Sequence, residues 1–544
     1  DRCSWDSYSS LHNDMSSIEA VGNVFPIIFL VVAVLMSLTT MTRMVEEERG
    51  LIGTYQALGF SDSAVYWKYL LFALLACLLG GIMGDLVGFI LFPKFLMYIL
   101  ESLYSFPQYY LRFDVLYGIG GILLFLFGIA GATLLACHSE LSQTPAALMR
   151  PKAPRAGSRV FLERLPFLWN RFKFLNKVTV RNLFRFKKRL FMTIGGIMGC
   201  NALILCGFAL KDTITNLAPE QYEKIYSYDL MVITDSENND DLIQRLSDDS
   251  NIADCLNLQI DSIKLLNSAK EAEKVQLMVI PEGASINDYI HLQDPDGAPV
   301  YLDDAGIYVT QNAAGILNLN KDDTVSLQNL QLEERKAVVA GIIKNYLGNN
   351  IYINQSYYES LFEEYTPNGV LAHLTDKCTD PEEYIHSLLD NDGILSAAST
   401  AGLKEDFGFE LINAVVLLLI VMAGGLAFVV LFTLSNTNIS ERIRELATIK
   451  VLGFYDNEVH QYVYKETLIL TIIGSLAGLP LGRFLSGLLT SVLQLPSVYF
   501  AVHVKPMSYL VSSAITLCFA FIVNLMTNRA LNRINMVEAL KSVE

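Results

Sequence analysis

The 544-residue sequence lacks a nucleotide-binding loop of the G-x-x-x-x-G-K-[ST] type, and no other glycine-rich phosphate loop replaces it. Its seven histidines are scattered along the chain without the spacing of metal ligands. Basic residues are also scarce, with 40 lysines and arginines against 56 aspartates and glutamates. We therefore expect no catalytic site, no cofactor and no metal in this chain, and no nucleic-acid partner.

Cysteine is scarce, and the first residues lack the pattern of a signal peptide. Of the eight cysteines, Cys255 and Cys378 lie in a polar region, where a disulfide and two free thiols are both open alternatives. Residues 1–20 are polar and precede the first apolar run. We expect them to be the tail of a missing extracellular region.

Charge is almost absent from seven long apolar runs. A helix that spans a bilayer needs about 20 apolar residues, and each run is near or above that length. A globular core could hold one such run, but seven predict a polytopic α-helical membrane protein. The predicted spans are 22–42, 66–92, 114–137, 190–210, 410–434, 464–492 and 507–528.

The remaining charges are distributed unevenly. Residues 211–405 hold 34 acidic and 12 basic side chains, a net charge of −22, which predicts a water-soluble domain on one side of the membrane. Residues 138–189 are strongly basic, and basic loops lie in the cytoplasm. Alternation from that loop places the acidic domain outside. It places the loops at 43–65 and 435–463, and the C-terminus, in the cytoplasm.

The acidic domain is predicted to have a mixed α+β fold. The stretches at 228–236 and 273–283 have the composition of strands, and those at 239–256 and 356–365 have the composition of helices. The D-P-D-G sequence at 294–297 suggests a calcium loop at first sight. It lacks the spacing of such a loop, so a turn is favoured.

The sequence contains an internal repeat at an offset of 394 residues. TYQALGFSDSAV at 54–65 aligns with TIKVLGFYDNEV at 448–459, and each copy has three spans that cross in the same direction. Three glycines spaced four apart recur in register and fall on one helix face. Small residues at that spacing favour close helix packing, although glycine is also simply common in membrane helices. The glycines are Gly80, Gly84, Gly88, Gly474, Gly478 and Gly482.

A segment of mixed charge follows the first span of each copy. Its apolar spacing predicts a short amphipathic helix, in which Val45, Ile52, Tyr55 and Leu58 share one side and Gly59 is the stop. A helix that rests on anionic lipid headgroups would carry mostly lysine and arginine, so the acids favour docking to a protein instead. The predicted contact residues are Glu47, Arg49, Thr54, Leu58, Gly59, Glu441, Arg444, Glu445, Thr448, Leu452 and Gly453.

These segments, RMVEEERGLIGTYQALGF and ERIRELATIKVLGF, resemble the coupling helices of FtsX-like and MacB-like ABC transporter permeases. The sequence at 177–199 is similar to the elbow helix and following span of larger bacterial members, and the sequence at 306–327 to a motif of the MacB-type outer domain. The resemblance implies a permease subunit of the bacterial plasma membrane, in contact with the lipid bilayer and with a cytoplasmic ABC ATPase dimer. ATP and Mg²⁺ would bind to that ATPase.

The predicted fold is two parallel three-helix FtsX-type repeats, one linking transmembrane helix and an α+β, MacB-core-like extracellular domain. The expected parts are the extracellular tail at 1–20, the first repeat at 21–150, the basic cytoplasmic linker and elbow helix at 151–189, the linking helix at 190–210, the extracellular domain at 211–405 and the second repeat at 406–544.

The resemblance implies that ATP hydrolysis by the separate ATPase is coupled to extracellular work, such as export or extraction of a lipid, lipoprotein or peptide. One alternative is a non-transporting FtsX-like mechanotransmitter that regulates an extracellular partner, for example a cell-wall hydrolase. An ATP-independent secondary transporter is the alternative from another class. Few charges near the midplane and no broken helices disfavour it.

Overall fold

The computed structural model describes most of the chain. The described residues are 6–103, 112–150, 177, 181, 187–235, 239–329, 332–362, 365–375, 377–378, 380–391, 393–406, 410–440, 443–492 and 498–532. Most of the basic linker predicted at 151–189 therefore lies outside the described residues. The chain divides into two units, an outer unit built mainly from residues 212–409 and a membrane unit that holds both repeats.

The first repeat is helical throughout its described length. Its helices are α1 (Asp6–Glu47), α2 (Arg49–Ala57), α3 (Asp62–Leu103), α4 (Val115–Leu141) and α5 (Pro145–Met149). Residues 6–20, the described part of the predicted extracellular tail, are helical and continuous with the first span. A short α2 between two long helices agrees with the predicted amphipathic segment.

A long helix, α6 (Lys187–Thr215), links the first repeat to the outer unit. It is followed by a short α7 (Leu217–Pro219) and one turn of π-helix (Glu220–Ile225). Most of the apolar part of α6 is buried, far more than that of any other long helix in the described chain. The linking helix is therefore enclosed by protein over most of its length.

The outer unit contains nine strands. They are β1 (Leu230–Thr234), β2 (Ile252–Leu266), β3 (Ala272–Ile280), β4 (Ile307–Thr310), β5 (Thr324–Gln328), β6 (Glu334–Ile343), β7 (Asn350–Asn354), β8 (Gly369–Leu374) and β9 (Ile394–Ser399). Its helices are α8 (Asn239–Ser247), α9 (Gln311–Ile316), α10 (Gln355–Leu361), α11 (Pro381–Leu389) and α12 (Thr400–Asp406).

Strand β2 belongs to two sheets. Its second half pairs with β3 and β5, and the pairings β3–β7, β7–β4, β4–β6 and β6–β5 close a six-stranded ring around an apolar core. Its first half joins the order β2-β8-β1-β9. Residues of α8 and α11 pack with this second sheet around a separate core. The outer domain is therefore two fused β-structures that share one strand.

Three expectations for the outer unit are settled by its local structure. The helix predicted at 239–256 is wrong beyond Ser247, because a turn intervenes in which the carboxylate of Asp249 accepts a hydrogen bond from the Asn251 amide at 2.9 Å. The D-P-D-G stretch forms a turn, closed by an Ala298-to-Asp294 hydrogen bond. Cys255 and Cys378 are both free thiols.

The π-helix lies at a junction of the outer unit. The side-chain oxygen of Gln221 accepts hydrogen bonds from the backbone amides of Tyr346 and Leu347, at 2.9 and 3.1 Å. The same two residues pair with Val498 and Tyr499, which precede the last helix. Gln221 is fully buried. Tyr346 and Leu347 therefore link Gln221, at the entry of the outer domain, to the 498–503 segment.

The second repeat consists of α13 (Glu410–Ser440), α14 (Ile443–Val451), α15 (Asp456–Val492) and α16 (Pro506–Asn532). Seven of the described helices are long and apolar enough to cross a membrane. Three belong to each repeat, and α6 is the seventh. The predicted fold class, a polytopic helical protein with an α+β outer domain, is confirmed.

The junction predicts a specific effect of the Gln221→Ala substitution. It leaves two buried backbone amides without an acceptor, at a cost of about 1–3 kcal/mol for each unpaired group. We expect the amide hydrogens of Tyr346 and Leu347 to exchange at least fivefold faster in the intact protein, measured by hydrogen-exchange mass spectrometry. Lys224→Ala is the control, since it removes only an exposed ion pair with Glu220. Equal exchange in the two variants would contradict the assigned role.

Candidate functional site: two capped helix tips

The end of α2 is a Schellman cap. Gly59 has a φ of +88°, a conformation that glycine adopts without strain. The Gly59 amide donates to the Gln56 carbonyl at 3.1 Å, and the Phe60 amide donates to the Tyr55 carbonyl at 3.0 Å. The rings of Tyr55 and Phe60 contact each other edge-on at 5.6 Å. The cap leaves Leu58 71% exposed.

The end of α14 repeats this cap 394 residues later. Gly453 has a φ of +94°, and its amide donates to the Lys450 carbonyl at 3.0 Å. The Phe454 amide donates to the Ile449 carbonyl at 3.4 Å. Leu452 is 72% exposed, nearly the value for Leu58. The two copies therefore present the same apolar side chain at the same kind of helix end, and we call residues 58–60 and 452–454 the tips.

The core beneath each tip is also repeated. In the first copy Val45, Ile52, Val65 and Tyr69 are buried together. In the second copy the residues one repeat length later are buried together, and they are Ile439, Leu446, Val459 and Val463. Leu58 does not join this buried side, contrary to our expectation, because it follows the last helical turn and points away from the core.

Helix α5 supports the first tip. A Cβ atom on Gly53 would lie 2.9–3.0 Å from atoms of Pro145, Leu148 and Met149, so only glycine allows α5 to approach α2 this closely. Arg49 donates to the Ala147 carbonyl at 2.9 Å and to the Gln143 side chain at 3.3 Å. Arg49, which we predicted as a contact to a partner, therefore binds α5 of its own chain.

The other predicted contact residues have varied surroundings. Glu47 is exposed and pairs with Arg43 at 2.8 Å, and the Thr54 hydroxyl donates to the Gly50 carbonyl at 2.9 Å. Thr448 is exposed on α14. Glu441 lies outside the described residues, and only the backbone of Arg444 and Glu445 is described. The feature that the structure shows in both copies is the capped, exposed tip.

Sequence reasoning missed Glu48, which joins α2 to α3. Its carboxylate accepts hydrogen bonds from the Lys68 ammonium group at 2.5 Å and from the Tyr69 hydroxyl at 2.8 Å. The hydrogen bond from Lys68 lowers the pKa of Glu48 below its ordinary value of 4.5, and the Tyr69 hydroxyl acts in the same direction. No local signal in the sequence separates Glu48 from its neighbours Glu46 and Glu47.

The repeated glycines meet different surroundings in the two copies. Added Cβ atoms on Gly474, Gly478 and Gly482 would lie 2.8 Å from Ile197, 2.8 Å from the Met198 carbonyl and 2.9 Å from Leu205, all on α6. The side chain of Asn201, also on α6, donates to the Ser475 carbonyl at 3.0 Å and accepts from Thr516 at 2.9 Å.

The glycines of the first copy make no such contact. Among the described residues, no atom lies within 4 Å of the Cβ positions of Gly80, Gly84 and Gly88, apart from atoms of their own helix. The same three glycine positions thus pack against a helix in one repeat and are open in the other.

Comparison with known proteins identifies the two repeats. Residues 23–141 and 417–542 match the family model described as FtsX-like permease C-terminal. The two repeats are therefore similar to the FtsX-like permease domain, and the resemblance predicted from the sequence is confirmed. The match supports an ABC-transporter-type permease subunit. No curated protein matches the sequence.

Two solved structures are similar to about a third of the chain. The periplasmic region of MacB from Actinobacillus actinomycetemcomitans is 15% identical over 35% of this chain and 96% of its own, with a TM-score of 0.23. The extracellular domain of the noncanonic ABC-type transporter YknZ from Gram-positive bacteria is 14% identical over 32% of this chain and 99% of its own, with a TM-score of 0.22.

The cap predicts that Gly59→Ala destabilises the first tip. A non-glycine residue at positive φ costs about 1 kcal/mol, which corresponds to roughly fivefold faster exchange of the Phe60 amide. Gly50→Ala is the matched control, since Gly50 lies within α2 with free space around it, and alanine there favours the helix. If both variants protect the Phe60 amide equally, the cap does not hold the tip.

The hydrogen bonds of Glu48 predict that the stability of α2 depends on pH. The pKa of Glu48 is lower in the folded protein than in the unfolded chain. The stabilisation that the Glu48 carboxylate gives to the fold is therefore complete above its pKa in the unfolded chain, and it is lost as the pH falls through its pKa in the folded protein. We expect the amide protection factors of α2 to fall below about pH 4.5, the ordinary value. Glu48→Gln should remove this pH response, whereas Glu47→Gln should retain it.

Proposed function

We propose that this permease couples ATP hydrolysis by separate ATPase subunits to conformational work outside the cell, and that the ATPase subunits dock on the two tips. The observation that carries the proposal is the equal exposure of Leu58 and Leu452 at matching caps, one repeat length apart. Two like sites on one chain match the two subunits of an ATPase dimer. ATP and Mg²⁺ would bind to that dimer and not to this chain.

The tips have the properties of a protein docking site. Phe60 lies beside Leu58, and Tyr455 lies near Leu452, and all four side chains are exposed. Apolar groups clustered at a rigid helix end form an anchor that a partner pocket can enclose. Because the caps fix the backbone before binding, little conformational entropy is lost on docking.

The alternative, a helix that rests on lipid headgroups, fits α2 less well. A lipid-bound helix buries its apolar face in the membrane interface. In α2 that face is already covered by protein, since Ile52 is fully buried and Gly53 contacts α5. What remains exposed is the end of the helix. A helix covered on its side and open at its end favours docking through that end.

The outer unit supplies a route by which membrane helices act on the outer domain. The π-helix follows α6 directly, and its Glu223 pairs with Lys404 on α12, which precedes α13. Gln221 binds the amides of Tyr346 and Leu347, and Leu347 pairs with Val498 of the segment that precedes α16. Residues next to three transmembrane helices therefore converge on one π-helical turn. A shift of any of these helices would be felt in the outer domain.

The proposed setting is the bacterial plasma membrane, with the outer domain extracellular and the tips and C-terminus cytoplasmic. The work performed would be export or extraction of a lipid, lipoprotein or peptide. A non-transporting role, in which the outer domain regulates another extracellular protein, is the second candidate. The convergence on the π-helix favours it, because this arrangement transmits motion without a pathway through the protein.

Docking at the tips predicts the effect of Leu58→Asp combined with Leu452→Asp. Each substitution places a charge in an apolar pocket and removes about 1.5–3 kcal/mol of burial, so we expect at least tenfold less ATPase to copurify with the permease. Leu332→Asp is the control, since Leu332 is also 72% exposed but lies in the outer domain. Undiminished ATPase in the double variant, or equal loss in the control, would contradict docking at the tips.

A second measurement separates the two candidate roles. In proteoliposomes that contain the permease and its copurified ATPase, a transporter should hydrolyse ATP faster when its lipid or peptide substrate is added. A regulator should respond instead to an added extracellular protein. ATP hydrolysis that never depends on the permease would exclude both.

A further inference from the structure

The two tips carry the same cap but differ in the aromatic side chain that is exposed beside the leucine. At the first tip Phe60, which directly follows the cap glycine, is 56% exposed. At the second tip Phe454 occupies that position, and it packs on the core beneath the tip. Tyr455, the residue that follows the second tip, is 79% exposed instead, and its equivalent in the first copy is Ser61. The aromatic group therefore lies at a different place in each copy.

The residue beneath the aromatic group accounts for this difference. In the first copy Tyr55 packs on the core, and Phe60 lies edge-on against its ring. In the second copy the equivalent residue is Ile449, whose side chain is smaller. Both Ile449 and Phe454 pack on the core there. An isoleucine in place of the tyrosine therefore leaves room for the phenylalanine, and the next aromatic residue is the one exposed.

The second copy also exposes more apolar surface around its leucine. The residue before that leucine is Val451, which is 59% exposed, whereas the first copy has Ala57 at this position. Leu51 is exposed in the first copy, but it lies seven residues before Leu58, about 10 Å along the helix. The large apolar side chains exposed together at the second helix end are Val451, Leu452 and Tyr455.

The backbone at Tyr455 is fixed before any partner binds. Its amide donates to the Glu458 carboxylate at 3.0 Å, a hydrogen bond of the kind that caps the first turn of a helix. Tyrosine is enriched among the residues that contribute most to protein binding. Its ring buries a large area at small cost in conformational entropy, and its hydroxyl can bind a polar group. Tyr455 has the exposure and the support of such an anchor.

We propose that Tyr455 makes the second tip the stronger of the two docking sites, so that one ATPase subunit binds there first and the first tip is filled second. This inference rests on the docking proposed above. The partner surface is an apolar pocket that holds an aromatic ring and has a polar group for its hydroxyl. The same pocket encloses less of the first tip, where Ser61 stands at this position. The two sites are therefore unequal even for two identical ATPase subunits.

The test measures the affinity of permease variants for the ATPase that copurifies with the intact permease. The purified ATPase is titrated, without ATP, against each variant in lipid nanodiscs. Tyr455→Ser introduces the residue of the first copy, and we expect it to weaken binding at least tenfold. Tyr455→Phe keeps the ring and should weaken binding less than threefold. Tyr301→Ser is the matched control and should change nothing, since Tyr301 is 72% exposed but lies in the outer domain.

The reciprocal variant guards against a damaged cap. Ser61→Tyr adds the anchor to the first copy, and we expect it to strengthen binding at least threefold, a gain that a damaged cap cannot produce. Tyrosines also lie at the interface between a membrane and water. Unchanged binding in Tyr455→Ser, or no gain in Ser61→Tyr, would assign the ring of Tyr455 to that interface and overturn the proposal.

Single variants of the two leucines separate this inference from the proposed docking. Leu452→Asp should weaken binding at least fivefold more than Leu58→Asp does. If the two variants weaken it equally, docking at the tips is retained and the inequality is overturned. If neither variant weakens binding, or if no ATPase copurifies with the permease, docking itself is wrong and this inference is wrong with it.

Discussion

The membrane unit depends on the close crossing of α6 and α15. Inside a bilayer the hydrophobic effect does not drive helices together, so association depends on tight packing and on hydrogen bonds between helices. Three glycines on α15 allow the tight packing. The buried Asn201 makes the hydrogen bonds between helices, with Ser475 and Thr516. Gly196 and Gly207 of α6 also contact α13. The second repeat is thereby assembled around α6, which then continues into the outer domain.

The two repeats show which features are fixed locally and which are not. The cap at Gly59 and at Gly453 forms twice because positive φ and two backbone bonds need only the residues of the cap itself. The glycine stripes are equally similar in sequence, yet only one is packed among the described residues, since a stripe needs a partner helix. A sequence pattern therefore predicts the ends of short helices well, and predicts helix packing only where the partner is known.

The seven spans, the outer α+β domain and the two caps could be predicted from the sequence, because hydropathy, charge and glycine position act over short distances. Gln221 could not, since its role depends on Tyr346 and Leu347, more than 120 residues away. The hydrogen bond between Glu48 and Lys68 could not be predicted either, nor could the ring that β2 closes with β3 and β5. Each is an interaction between segments whose spacing along the chain carries no periodic signal. The helix expected to continue past Ser247 was wrong because a side chain, Asp249, ends it.

The contacts around α2 bear directly on how force at a tip would travel in the proposed mechanism. A tip on a loosely attached helix would yield when a partner moved it. Here α2 follows α1 after a single residue, Glu48, whose carboxylate also binds the first turns of α3. Gly53 and Arg49 hold α5, which follows α4 after three residues. In the proposed mechanism, displacement of Leu58 is therefore transmitted through α2 to the adjoining ends of α1, α3 and α4.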